Sequence, residues 1–383
     1  MAHCNTVMSQ MLKIFSRHEF EALAKQHHSG RKFRKFDRWS QFVAMASAQL
    51  SSRVSLRDLV ANLSAQAGKL YHLGLKPTNR STLARVNDEK PYTLYEALFE
   101  RLLSRCQSVF QKHKFRFKNK LYTLDATVID LCLSVFPWAG FRSAKGAVKL
   151  HVGLDHGGYL PRFISMTEGR KHEVSWAKTL NLPRTSFIVF DRAFVDYRWF
   201  GSLVNKGVFF VTRQKSNARY RVIARRKSDK TKGLLCDQTI RLTGVKSDEC
   251  PFPLRRIRYM DKETGNIYVF LTNAMHLSAR TVADIYKERW QIEVFFKWIK
   301  QNLKIKTFLG TSRNAVLTQI WIALCVYLIL AWIKFNHRLK FSLQQMLRLL
   351  QLNLFERRDL LKLLRGDPDK TTNYTTQLSL AIS

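Results

Sequence analysis

Cysteine is scarce and scattered. Cys4, Cys106, Cys132, Cys236, Cys250 and Cys325 include no Cys-x2-Cys pair, which argues against a zinc site and a disulfide framework and points to a reducing compartment. Acids are short by a wider margin: 28 Asp and Glu face 65 Lys and Arg, for a formal net charge of +37. That excess is far beyond what solubility needs and implies a polyanionic partner. Glycine (16) and proline (8) are few while 46% of the residues are hydrophobic, which excludes a largely disordered chain, and 383 residues suggest two or three domains. No apolar h-region lies in the first twenty residues, so no secretory signal is expected. The apolar run from Thr318 to Ile333 covers about 16 residues, short of the ~20 that cross a bilayer, and reads as a buried helix. A cytoplasmic protein with no membrane partner is the expectation.

Residues 1–115 read as helical. Trp39 to Leu50 is apolar-rich, Ser55 can cap a helix to Leu63, and Asn79 to Val86 follows a connection punctuated by Gly and Pro. The last two helices could form a helix-turn-helix, with Arg80 and Arg85 as donors to phosphates and base edges, or could belong to a structural domain with a basic surface. After an amphipathic helix from Tyr92 to Phe110, residues 112–120 alternate basic and aromatic types and read as a basic hinge with some backbone contact to nucleic acid.

Residues 120–212 change to strand-like runs. Leu121 to Leu133, Val148 to Leu154 and Leu160 to Met166 are β-rich, and Gly157-Gly158 between the last two implies an antiparallel hairpin. A short helix from Glu173 leads to the buried strand before Asp191, then a helix from Asp196 to Lys206 and a strand from Val208 to Thr212. This is the order of a ribonuclease-H-like α/β core. Residues 213–277 read as a β-rich insertion, 278–310 as a returning core helix capped by Ser278, and 311–383 as C-terminal helices and a tail. Within the core, Asp125 lies inside a strand, where an acid is costly unless exposed or bound, and Asp191 ends a buried strand, the usual place for active-site residues in α/β sheets. Equally, Asp125 could pair with a base and Asp191 could cap the next helix.

Residues 285–300 read as one amphipathic helix. Tyr286, Arg289, Glu293, Lys297, Lys300 and Lys304 share one sector, while Ile292, Phe295, Phe296 and Ile299 gather opposite. One acid stands among bases, which alone could be simple charge neutralisation. The spacing Tyr-x2-Arg-x3-Glu-x6-Lys, however, resembles the signature helix of bacterial insertion-sequence transposases of the DDE class, in the group named after insertion sequence 4. The resemblance covers about residues 120–310.

It implies an α/β fold with a ribonuclease-H-like core, a β-rich insertion and a helical N-terminal DNA-binding region. It further implies a catalytic carboxylate triad of Asp125 in Leu-Asp-Ala-Thr, Asp191 in Phe-Asp-Arg-Ala-Phe, and Glu293. These acids would bind two Mg²⁺ ions, with Mn²⁺ a possible substitute, to drive phosphodiester attack. Tyr286, Arg289, Lys297 and Lys300 would hold the DNA strand end, Arg289 as a bidentate phosphate clamp. The implied partners are double-stranded DNA, as terminal inverted repeats and as target, and a second copy in a synaptic homodimer. Two departures stand out. Ala193-Phe194 replaces the usual Gly and Tyr, and no Trp lies between Trp199 and Trp290, where the family places the Trp that holds a flipped base during hairpin formation. Two other readings stay open: a metal-dependent nuclease or resolvase that does not join ends, and a non-catalytic DNA-binding repressor.

Overall fold

Among the residues that the computed structural model describes (5–30, 36–110, 113–142, 145–169 and 172–366), seven helices precede the first strand. They are α1 (Val7–Met11), α2 (Arg17–Gln26), α3 (Arg38–Leu50), α4 (Leu56–Ala65), α5 (Ala67–Leu70), α6 (Arg80–Glu89) and α7 (Thr93–Val109). The side chains of Ser16, Asp37, Ser55 and Asn79 accept a backbone N–H three residues on at the starts of α2, α3, α4 and α6, satisfying donors that a helix start leaves open. The tight turn of a helix-turn-helix is absent between α4 and α6. Residues 66–79 intervene, and their Leu70, Leu73 and Leu75 are buried, so this connection is part of the core rather than a short link.

The strands are β1 (Leu121–Leu131), β2 (Gly140–Arg142), β3 (Lys145–Asp155), β4 (Leu160–Glu168), β5 (Phe187–Phe190), β6 (Phe209–Arg213), β7 (Tyr220–Arg225), β8 (Leu234–Leu242), β9 (Leu254–Met260) and β10 (Ile267–Thr272). Helix α8 (Glu173–Ala177) precedes β5 and α9 (Tyr197–Asn205) precedes β6. All ten strands form one sheet ordered β2-β3-β1-β5-β6-β10-β9-β8-β7, with β4 on the far side of β3. Strands β1, β3 and β4 are antiparallel, while β1, β5 and β6 are parallel, the order expected of a ribonuclease-H-like core. The strand-rich segment after residue 213 extends this sheet: β10 pairs antiparallel with β6, so its backbone groups complete the edge that β6 would otherwise expose.

Five helices follow or complete the sheet: α10 (Ala279–Lys287), α11 (Trp290–Asn302), α12 (Arg313–Asn336), α13 (Leu343–Asn353) and α14 (Leu360–Arg365). Residues 285–300 are therefore two helices rather than one. At the joint the backbone bonds tighten to three-residue spacing, with Arg289 N–H donating to Tyr286 O (3.0 Å) and Gln291 N–H to Glu288 O (3.0 Å), a 3-10-type turn of the kind that redirects a helix. Helix α12 is long and apolar enough to cross a membrane, but it is buried among α3, α6 and α7, as the core reading expects. It draws the N-terminal and C-terminal helices into one body, whose apolar cluster runs from Val7 to Leu364.

The basic and aromatic linker is no loose hinge where it is described. Phe115 stacks on Phe117, and Phe117 packs at a tilt against Phe187 of β5, with centroids 5.4 and 4.7 Å apart, while Arg116 and Lys118 are exposed. Lys112 lies outside the described residues.

Candidate active site

Strand parity decides which face the acids occupy. Leu121 of β1 and Phe187 and Val189 of β5 belong to the apolar cluster shared with Val282 and Ile285 of α10, whereas Tyr122, Leu124, Ile188 and Phe190 face α9. Side chains alternate along a strand, so Asp125 and Asp191 project on the α10 and α11 side. Their registers coincide as well. Leu121 pairs with Phe187 and Leu124 with Phe190, and one further step sets Asp191 beside Asp125, on strands about 4.8 Å apart.

Helix α11 brings the third acid. Lys300 donates to Val128 O on β1 at 2.8 Å. Glu293 lies two helical turns before Lys300, roughly 10 Å at 1.5 Å per residue, and Asp125 lies three strand residues before Val128, also roughly 10 Å. The helix thus lies along the strand with Glu293 over Asp125. Arg289, one turn earlier, closes the arrangement: its Nη2 donates to Glu293 Oε1 at 2.5 Å and its Nη1 stands 3.6 Å from Asp125 Oδ2. Its guanidinium also lies over the Tyr286 ring, 5.8 Å from the centroid.

Each acid has a local anchor that leaves room for another role. Asp125 Oδ1 accepts from Ala126 N–H at 2.8 Å. Asp191 Oδ1 accepts from Ala193 N–H at 2.8 Å and caps a single 3-10 turn, and Thr212 Oγ1 donates to its backbone carbonyl. The two alternatives open in the sequence, a basic partner for Asp125 and a cap for Asp191, are thus both present and both compatible with a shared site. Burial pushes the Asp125 carboxyl up to about 7; the Ala126 N–H and Arg289 oppose this, and the nearby Asp191 and Glu293 reinforce it.

That shift carries a stability prediction. A carboxyl whose folded pKa rises from 3.8 to about 7 stabilises the fold fully only below about pH 4, and this contribution is lost as pH rises through about 7. Asp125→Asn, neutral at every pH, should therefore raise the melting temperature in EDTA more at pH 8 than at pH 5. Equal shifts at the two pH values would contradict the buried, acid-crowded setting.

Carboxylates are hard oxygen donors of the kind that suits Mg²⁺-like cations. Among the described residues no three His, Cys, Asp or Glu side chains already stand close enough to share an ion. The guanidinium of Arg289 lies between Asp125 and Glu293 and contacts both, so a cation held by these two acids would need that side chain to turn toward another anion.

The remaining predicted residues fall in different places. Tyr286 is half-buried against Phe270, with centroids 5.1 Å apart, and Lys297 is exposed beside Glu293 on α11. Lys300 is tied to β1 rather than free for phosphate. Arg80 and Arg85 are exposed on α6, in the helical body and not on the sheet that carries the acids. Sequence reasoning missed an aromatic cleft of about 540 Å³ beside Arg289, lined by Tyr259, Tyr268, Phe270, Tyr286 and Trp290. Arg213 covers the Tyr268 ring at 5.1 Å. Its signal was the alternation of Tyr268 and Phe270 on one strand and the i, i+4 pair Tyr286 and Trp290. Glu288 is buried at the joint between α10 and α11.

A parallel-and-antiparallel sheet of this order, with one acid inside the first strand, one just past the end of its parallel neighbour and a covering helix on the same face, is the arrangement of DDE-type phosphodiester enzymes, which use divalent metal. Residues 116–329 match the family described as "Transposase DDE domain", and residues 3–76 match a domain of unknown function. A Sinorhizobium fredii protein named as a transposase, y4zB, is 30% identical over 298 residues, covering 77% of this chain and 82% of its own. A Geobacillus stearothermophilus protein named as the transposase of insertion sequence element IS5377 is 31% identical over 271 residues, 70% of each chain. A cryo-EM structure of a piggyBac transposase synaptic complex with hairpin DNA aligns at a TM-score of 0.45 and 12% identity, over 95% of this chain and 80% of that one. This chain belongs to the DDE transposases of bacterial insertion sequences.

Proposed function

We propose that this transposase binds the terminal inverted repeats of its element, cleaves the DNA at those ends, and joins the freed 3′ ends to target DNA as a cut-and-paste enzyme. The reading places it on nucleoid DNA in the bacterial cytoplasm and has it act as a homodimer when two ends are synapsed. What supports the reading is that Asp125 and Asp191 share one face of the sheet and that Arg289 links Asp125 to Glu293, within a chain of this family.

In this scheme Asp125, Asp191 and Glu293 hold two Mg²⁺ ions, with Mn²⁺ able to replace them. Bound there, the ions supply the charge that activates a water or 3′-hydroxyl and stabilises the leaving oxygen. Arg289 balances the acids while the site is free of DNA and passes its planar fork to a phosphate when a strand end arrives. Lys297 adds a second phosphate contact from the same helix. Lys300 holds β1 at Val128 and so fixes the distance between strand and helix. The aromatic cleft beside Arg289 gives an unstacked base a place to lie, which supports a hairpin intermediate even without a Trp in the inserted strands. Tyr268 and Trp290 are the residues we assign to that role.

The test is product analysis. A labelled terminal repeat incubated with the protein, Mg²⁺ and a target plasmid should yield nicks, hairpins and joined molecules; nicks alone would make the chain a nuclease. Recognition of the repeat is assigned to the helical body. Arg80→Ala with Arg85→Ala should weaken binding to the repeat by about 2 to 6 kcal/mol, at ~1 to 3 kcal/mol per direct base contact. An equal loss on scrambled duplex would reduce both residues to backbone contacts.

A further inference from the structure

One acid just before the catalytic helix has no part in that scheme. Glu288 sits at the break between α10 and α11 with its side chain only 10% exposed, and a carboxylate so buried is costly unless it is paired. Its partners come from two other parts of the chain. Lys114 of the linker donates to Oε1 at 2.5 Å, and Tyr159, at the turn of the β3–β4 hairpin, donates its hydroxyl to Oε2 at 2.9 Å. His156 of the same turn faces Oε2 with Nδ1 at 4.0 Å, and its Nε2 lies 2.6 Å from Thr123 Oγ1 on β1, two residues before Asp125. With Nδ1 toward the carboxylate and Nε2 toward the hydroxyl, the neutral tautomer that serves both carries its proton on Nδ1.

The turn that presents these groups is itself held on the helical body. Gly158 has φ +89°, and a Cβ there would run into the ring of Phe110. Tyr159 also takes a left-handed conformation (φ 56°), costly for a non-glycine residue unless the surroundings impose it. Tyr327 of α12 donates to the Tyr159 carbonyl at 3.3 Å. A continuous path therefore links the strand of Asp125 to the joint that aims Arg289 and Glu293: Thr123, His156, Tyr159 and Glu288.

We propose that Glu288, held by Tyr159, is a positioning residue for the phosphodiester chemistry: it fixes the break between α10 and α11 so that Arg289 and Glu293 meet Asp125, while touching neither metal nor DNA. The inference rests on the transposase reading above. A misplacement of ~1 Å at a reacting centre costs ~100-fold, and residues that orient metal ligands change metal affinity by ~10- to 100-fold.

The test uses the full chain with Glu288→Gln, Tyr159→Phe and the double variant, and with Lys114→Ala as a control for an exposed partner, Lys114 being 67% exposed. Each is measured for affinity toward a labelled terminal-repeat duplex, for cleavage rate at saturating duplex with Mg²⁺, and for Mn²⁺ binding by electron paramagnetic resonance. Positioning predicts duplex affinity within about twofold of wild type, cleavage slower by ~10- to 100-fold and Mn²⁺ binding weaker by ~10-fold. The double variant should be no worse than Glu288→Gln, since both break one path, and Lys114→Ala should have the smallest effect. A cleavage defect that disappears well below each variant's melting temperature would make Glu288 a stability residue only and overturn the proposal, as would wild-type cleavage and Mn²⁺ affinity in Glu288→Gln. If wild type itself fails to cleave the repeat, the transposase reading fails, and the Mn²⁺ measurement still decides the positioning role.

Discussion

Asp125→Asn, Asp191→Asn and Glu293→Gln should each abolish strand cleavage and strand transfer together, by at least ~100-fold, while leaving folding and duplex binding in place. Each substitution removes one anionic oxygen donor and keeps the side chain's shape. Two of the acids come from the adjacent strands β1 and β5 and the third from a helix joined to Asp125 through Arg289, and the other nearby acids are placed elsewhere. Asp130 points to solvent, Asp196 caps α9 and pairs with Lys178 at 2.8 Å, and Glu288 is turned into the protein. The measurement is a time course on a labelled element end with Mg²⁺, scoring nicks and joined products separately. Near-wild-type cleavage by any one variant would remove that residue from the site. Arg289→Ala should behave differently: it frees the acids of their internal cation and removes the phosphate clamp, so end positioning suffers while some first-strand nicking in Mn²⁺ survives.

Binding to any duplex should weaken by about three orders of magnitude between 50 and 200 mM salt. With a net charge of +37, the chain neutralises many phosphates, and each releases condensed counterions, so log K falls linearly with log salt concentration with a slope of about −0.9 per phosphate contacted. A slope of several units corresponds to six or more such contacts. Exposed bases that could supply such contacts include Lys297 on α11 and Arg116 and Lys118 along the linker. Preference for the terminal repeat over random duplex should fall less steeply than affinity, because base contacts release no counterions. A nearly flat dependence, measured by fluorescence anisotropy, would show that the charge serves something other than DNA.

Much of the site was legible because it obeys local rules. The apolar run before Asp191 reads as a buried strand from its composition, the Gly-Gly turn marks the hairpin, and Ser278, Ser55 and Asn79 announce helix starts. The fixed spacing around Glu293 pointed to the family before any geometry. What escaped the sequence is long-range. Nothing local says that α12 would gather helices from both ends of the chain into one body, nor that β10 would pair with β6 and carry the inserted strands on as part of the same sheet. Periodicity predicted one helix over residues 285–300, since apolar positions continue in phase across the joint. The break falls at Glu288, whose carboxylate accepts from Tyr159 and Lys114, residues 129 and 174 positions away. The helix-turn-helix reading failed for the opposite reason: a connection punctuated by Gly and Pro looked like a turn, yet its leucines are core.

The central claim is that Asp125, Asp191 and Glu293 together hold the metal at which DNA is cut and joined. It is tested most directly by crystals grown with Mn²⁺ and a terminal-repeat duplex, measured for anomalous scattering at the manganese edge. The account predicts anomalous peaks within ligand distance of all three carboxylates, with Arg289 moved from Glu293 to a DNA phosphate. Peaks that leave out any of the three acids, or no peak with Arg289 still bridging Asp125 and Glu293, would contradict it.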